Sequence, residues 1–297
     1  MTSSDGSVGR ATLLIIVSAV SFGSISVLTV LTTGGGVSLL TAMAWRYVIG
    51  ATLLGAVIQR KQFGSISSRR VVQLLLIGGC GQALITYVSL RALDYIPVAP
   101  LAFLFYTYPA WVALIGAIRK TEKLTPVRIA ALVLALAGVA VMVGVPTEKL
   151  NPIGVVLAIA SAFLYSAYLP ALEHVQDGMP ALLATFLLIT GAAIAFVITA
   201  LFAGELSLPG GKEVWANIFL LALVCTVIAF SALIKGLAVL GPVRTSIIAT
   251  VEPFFTAILG VLVLRSQFSA ATLTGGILIA VAILVIEWSS ARVPVIA

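Results

Sequence analysis

Residues 180–203 read PALLATFLLITGAAIAFVITALFA, a run with no Asp, Glu, Lys or Arg. A hydrocarbon core about 30 Å thick is crossed by roughly 20 helical residues. The run has that length, is rich in the helix formers Leu and Ala, and lacks the strict two-residue alternation of a membrane β-strand. It therefore reads as a membrane-spanning helix. Comparable runs occupy 11–31, 39–59, 71–93, 97–119, 127–145, 152–172, 214–237, 242–264 and 270–288. The expected fold is an all-α polytopic membrane protein with ten transmembrane helices.

Composition agrees with this class. Of 297 residues, 61% are hydrophobic and only 9% charged, and the mean hydropathy is +1.20. That is too little charge to cover a soluble surface. Polar residues are confined to short breaks such as Gly34-Gly35-Gly36, Arg60-Lys61, Arg119-Lys120, Pro146, Pro180, Pro209-Gly210-Gly211 and Gly241-Pro242, none long enough for a separate domain. The polar N-terminus precedes a run with no cleavage signal, so the first span is expected to be retained.

The excess of 17 basic over 10 acidic residues is explained by orientation rather than by nucleic acid. An N-terminus inside puts twelve basic residues on the inner face: Arg10, Arg60, Lys61, Arg69, Arg70, Arg119, Lys120, Lys123, Arg128, Lys235, Arg244 and Arg292. Only Arg91, Lys149, Lys212 and Arg265 then lie outside. The positive-inside rule makes both termini cytoplasmic. Arg91 and Lys235 read as snorkelling helix ends.

A second regularity lies in an offset of 144 residues. Arg91-Ala92-Leu93 recurs as Lys235-Gly236-Leu237, and Pro109, Ala113, Gly116, Leu124 and Gly138 correspond to Pro253, Ala257, Gly260, Phe268 and Ala282. Ser18-Ala19 recurs as Ser161-Ala162 at an offset of 143. Two five-helix repeats are expected, over 11–145 and 152–288. Because five is odd, the second enters the membrane in the opposite sense, the plan of carriers that bind substrate near the midplane. The small residues Ala113, Gly116, Ala117, Ala257 and Gly260 predict a close seam between the fourth and ninth helices.

Ser21-Phe22-Gly23-Ser24, Arg46, the run from Arg91 through Pro109 to Glu122, and Glu252-Pro253 occur in an order and spacing that resembles the EamA type of the drug/metabolite transporter superfamily. The resemblance covers about 11–288. It implies ten helices in two inverted repeats, and export of a small organic solute by a bacterial cytoplasmic (inner) membrane carrier. Amino-acid and metabolite exporters, including an aromatic amino-acid exporter, are similar in type.

Site candidates are the polar groups that lipid would not tolerate. Arg46 lies in the second apolar run, either as a substrate or gate charge or as a structural partner. Glu252 falls near the middle of its span beside Pro253, where a missing backbone donor marks an unwound, cavity-lining helix. It is a candidate for a substrate ammonium or a proton, or for a hydrogen bond to a neighbouring helix. Phe103, Tyr106 and Tyr108 belong to an aromatic patch that also contains Phe105 and Trp111. Gln82, Thr86, Tyr87, Tyr165 and Tyr168 offer neutral polar contacts, to a solute or between helices. Trp45 reads as an interface anchor.

His174, beside Glu173 and near Asp177, has no second His or Cys to complete a metal set, and Cys80 and Cys225 lie inside apolar runs. No Walker loop or catalytic triad is present, so no enzyme activity and no cofactor is expected. The expected partners are a small, zwitterionic organic solute and membrane lipids, with protons as candidate co-substrate and the chain a monomer or weak homodimer. A sugar-phosphate or nucleotide-sugar exchanger is the alternative. It fits less well, because the ninth helix offers only Arg244 near its start and the tenth has no basic residue before Arg292. A non-transport scaffold is the remaining class.

Overall fold

A computed structural model describes residues 3–92, 94–122, 124–144, 150–265 and 269–290. Leu93, Lys123, Pro146, Lys149, Phe268 and Arg292, and the end of the expected first repeat at 145, lie outside the described residues. The chain is all-helical, with no strand among the described residues.

The first half contains α1 (Ser3–Gly23), α2 (Ile25–Gly34), α3 (Leu39–Val57), α4 (Ser68–Leu76), α5 (Gln82–Ala92), α6 (Val98–Phe105), α7 (Tyr108–Ile118) and α8 (Pro126–Val143). The second contains α9 (Pro152–Gln176), α10 (Ala181–Phe202), α11 (Lys212–Ala222), α12 (Ala229–Ala249), α13 (Glu252–Leu264) and α14 (Ala270–Ser290). Many large apolar side chains on their outer faces are exposed, among them Leu13, Val156, Phe202 and Leu284, as lipid contact requires.

Eight helical stretches are long and apolar enough to cross a membrane, and the apolar helices Glu252–Val263 and Ala270–Ile286 are shorter. The expectation of ten uninterrupted spans is corrected at one place above all. The expected eighth and ninth spans meet directly at Gly241, where the backbone leaves the helical conformation for one residue and no loop intervenes. Gly241 has φ 73°, a left-handed conformation that glycine adopts without steric cost, and Pro242 brings no backbone donor to the bend. The ninth segment is interrupted again at Thr250 and Val251.

Departures from regular helix recur in both halves. A π-helical turn joins α4 to α5 over Ile77–Gly81, and another joins α11 to α12 over Leu223–Ile228. The break between α6 and α7 falls at Tyr106-Thr107, and that between α12 and α13 at Thr250-Val251, again 144 residues on. The cause is shared. Pro109 and Pro253 cannot donate to the carbonyls of Phe105 and Ala249 four residues back, so the helix tightens into i→i−3 bonds there. Such bonds run from Thr107 to Leu104 and from Thr250 to Ile247, both at 3.2 Å. Beyond each break the chain leaves through a basic residue with positive φ, Lys120 or Arg265. The next helix starts at a hydroxyl cap, Thr125 accepting from the Arg128 amide and Ser269 from that of Thr272.

Packing joins equivalent elements: α3 lies against α10 and α8 against α14. It also exchanges neighbours between the halves, α7 lying on α9 and α13 on α1. The seam expected between the fourth and ninth helices is not the main small-residue contact. Gly116 of the fourth does face Val243 at the start of the ninth, beside the Glu122 side chain. The closest approach is Gly78 in the first π turn against the Leu188 backbone, reciprocated by Gly191 against the Leu75 carbonyl. The wider π turn pushes its backbone towards α10, and only glycine leaves the room.

Candidate functional site

The two breaks bring their side chains together. The Tyr106 hydroxyl, at the first, faces the Glu252 carboxylate at the second. Tyr165 of α9 packs edge-on against Tyr108 with ring centres 4.8 Å apart and lies 5.5 Å from Phe105. Phe105 in turn meets Tyr106 at 5.8 Å and Tyr108 at 5.7 Å. Glu252 thus sits at the edge of a four-ring aromatic cluster, electrostatically coupled to Tyr106, Tyr108 and Tyr165. Glu252, Phe105, Tyr106 and Tyr165 keep part of their surface accessible, whereas Tyr108 is 2% exposed, its hydroxyl 3.4 Å from the Ser246 carbonyl.

Arg46 is 3% exposed and committed to the second π turn. Its Nε donates to Thr226 Oγ1 at 2.7 Å, one terminal nitrogen donates to the Cys225 carbonyl at 2.8 Å, and the other meets Met43 Sδ at 3.7 Å. The guanidinium also lies 5.0 Å from the Tyr47 ring centre. A π turn disturbs the i→i−4 ladder and leaves carbonyls seeking donors. Arg46 supplies one to Cys225, and the Thr226 hydroxyl supplies one to Leu221 at 3.1 Å. Cys225 itself contacts Ser24 Oγ at 3.1 Å and couples to Glu252, so Arg46 holds a wall of the site.

The remaining expected residues divide. Tyr168 stacks on Tyr165 at 5.8 Å, and with Gln82, Tyr47 and Phe230 it lines a narrow crevice behind the cluster. Phe103 and Thr86 are half-buried on α6 and α5. Tyr87 is 63% exposed on the face it shares with Leu84 and Arg91, the outer surface of the bundle, and is not brought to the cluster. Ser24, Cys225 and Thr226 were not among the expected site residues. The repeat placed α11 and α12 opposite α4 and α5, but a π turn has no compositional signature.

The two ends of the bundle differ. One carries a vestibule of about 380 Å³ lined by Val112, Arg119, Glu122, Glu173, Asp177 and Val243 among others. Glu122 is ion-paired with Arg128, and nearby Arg70 donates to the Asp177 carbonyl at 2.8 Å. The vestibule stops at Val112 and Val243, one helical turn short of Tyr108 and Ser246. At the other end, Trp45 and Trp215 meet edge-on at 5.2 Å. Trp45 donates to the Ser207 carbonyl at 3.0 Å and Thr41 to that of Glu205, drawing the 203–211 connection over α3.

Paired broken helices around a polar centre, in a membrane bundle with a vestibule at one end, are the architecture of a solute transporter. The EamA-like transporter family model matches residues 9–144 and again 152–288, and the chain belongs to that family. A crystal structure described only as that of a protein is 20% identical, with a TM-score of 0.80 over 96% of this chain and 98% of the other, and shares the fold. No curated protein matches the chain.

Proposed function

We propose that the protein is a secondary carrier that exports small organic solutes bearing an ammonium group, in the size range of amino acids and similar metabolites, across a bacterial cytoplasmic membrane by alternating access. In this reading the two matched repeats are inverted five-helix units, covering about 11–145 and 152–288 and crossing the membrane ten times in all. The kinked and broken segments 212–240 and 242–264 count as separate crossings. Both termini are cytoplasmic, which makes the vestibule the inner mouth and the Trp45–Trp215 contact the closed outer one.

The observation that carries the proposal is the register of the two breaks, which sets Glu252 against Tyr106 where a substrate site is expected in such folds. A carboxylate there is costly unless it meets a cation, a proton or a hydrogen-bond donor, and it would serve as the point of substrate or proton binding. Export, the membrane, the proton and a monomeric or weakly dimeric state are parts of the same proposal. Purified protein in liposomes, tested with amines, amino acids, nucleosides and phosphate esters with and without a proton gradient, is expected to catalyse counterflow of ammonium-bearing solutes. Flux no greater than in protein-free liposomes for the whole panel would overturn the carrier reading.

A further inference from the structure

We infer that the site selects organic cations, an ammonium on an apolar or aromatic body that carries no carboxylate, and rejects zwitterions and anions. The inference rests on the carrier reading and narrows it. It starts from what surrounds Glu252. The rings of Phe105, Tyr106, Tyr108 and Tyr165 present π faces and edges within 4.8–6.3 Å of one another. Aromatic rings attract an ammonium through their quadrupole, most strongly where water is excluded, and a carboxylate beside them fixes its position. Ring and carboxylate together form a cation site with an apolar wall.

A zwitterion needs a second, opposite partner for its own carboxylate, held within a few Å of Glu252. The buried basic residues among those described are Arg46 and Arg244. Arg46 is turned to the π turn, each of its three nitrogens engaged by Thr226, Cys225 or Met43. Arg244 precedes Glu252 by eight residues, about 12 Å along a helix. Of the phenols, Tyr106 faces Glu252 and Tyr108 points to the Ser246 carbonyl, which leaves Tyr165. One phenol does not replace a cation for a carboxylate withdrawn from water, and Glu252 repels it.

Four probes that share a phenol ring separate the terms: tyramine and tyrosine methyl ester are cations, tyrosine is a zwitterion and N-acetyltyramine is neutral. Binding to the purified carrier, measured by calorimetry, is expected to be at least tenfold tighter for both cations than for tyrosine or N-acetyltyramine. Glu252→Gln should bring the cations down to the level of the neutral probe, with Glu252→Asp retaining part of the preference. Tyrosine binding within threefold of its methyl ester, or no binding of either cation at millimolar concentration, overturns the inference. Counterflow of tyrosine in the first case would leave the carrier reading intact while removing the selectivity. Absence of counterflow for every solute would remove the carrier reading itself.

Discussion

The two repeats share a backbone plan and differ in chemistry. Each has a π turn in its third segment and a proline-driven break in its fourth, yet the first π turn is seated by glycines against α10 while the second is held by Arg46 from the opposite repeat. The first break carries Tyr106 and the second Glu252. Duplication explains the shape. Divergence at equivalent positions explains how a pseudo-symmetric bundle acquires one carboxylate facing a set of rings, so this juxtaposition is a property of the pair and of neither half alone.

That asymmetry is most severely tested at Arg46. Removing its side chain leaves the Cys225 carbonyl without a donor in a dry interior and frees a π turn that borders the site. Arg46→Met is expected to destabilise the protein by about 3 kcal/mol, from lost hydrogen bonds to a charged donor and the desolvated groups left behind. Thermal unfolding of the purified variant in detergent measures this. An unchanged melting temperature would mean that the second π turn, like the first, is held by packing alone.

Much of this plan is legible in the chain. The apolar runs locate the helices, and Pro109 and Pro253 at one register mark where both fourth segments break. Glu252 stands out because lipid does not tolerate an isolated carboxylate. Other features depend on contacts that no local pattern encodes. Arg46 finds its partners 179 and 180 residues away. The π turns substitute one hydrogen-bond register for another without a change in composition. Small residues indicate close approach but not how close, so the contact of Gly116 with Val243 is legible while the tighter seam at Gly78 and Gly191 is not. Tyr87 carries the same hydroxyl as Tyr165 yet faces outward, since the side of a helix that meets lipid is decided by packing when all sides are apolar. The kink at Gly241 merges two expected spans because a single glycine and proline turn the chain without a polar loop.

The two ends of the bundle extend the comparison. Trp45 and Trp215 come from α3 and α11, and the corresponding helices α10 and α4 carry no Trp. Trp45→Ala removes an aromatic pair and a hydrogen bond, about 2 kcal/mol together, from this end alone. In a Cys80→Ser background, Cys225 is the remaining thiol and lies buried beside the site. A membrane-impermeant maleimide applied from the Trp side should then modify Cys225 roughly thirtyfold faster than in the parent, as that energy difference implies. Equal rates would show that the closure lies deeper than the tryptophans.

The smallest expected effect isolates the hydroxyl that links the two breaks. Tyr106→Phe keeps the ring and its contacts with Phe105 and Tyr108 but deletes the hydroxyl that faces Glu252. A carboxylate has room for several donors, so an incoming ammonium need not displace the phenol. The phenol's contribution is then to hold the carboxylate in one direction, at the mouth of the aromatic cluster. Losing it should weaken binding of tyramine by about 1 kcal/mol, roughly fivefold, with the folded state unaffected. Tyr165→Phe, which leaves the Tyr106 hydroxyl facing Glu252, should change affinity less. Tighter binding by Tyr106→Phe would reverse the reading: the hydroxyl would then be a competitor for Glu252, occupying it in the empty carrier and giving way when substrate arrives. Calorimetric affinities of the two variants, measured beside the parent, decide between a first repeat that orients the carboxylate of the second and one that keeps it occupied.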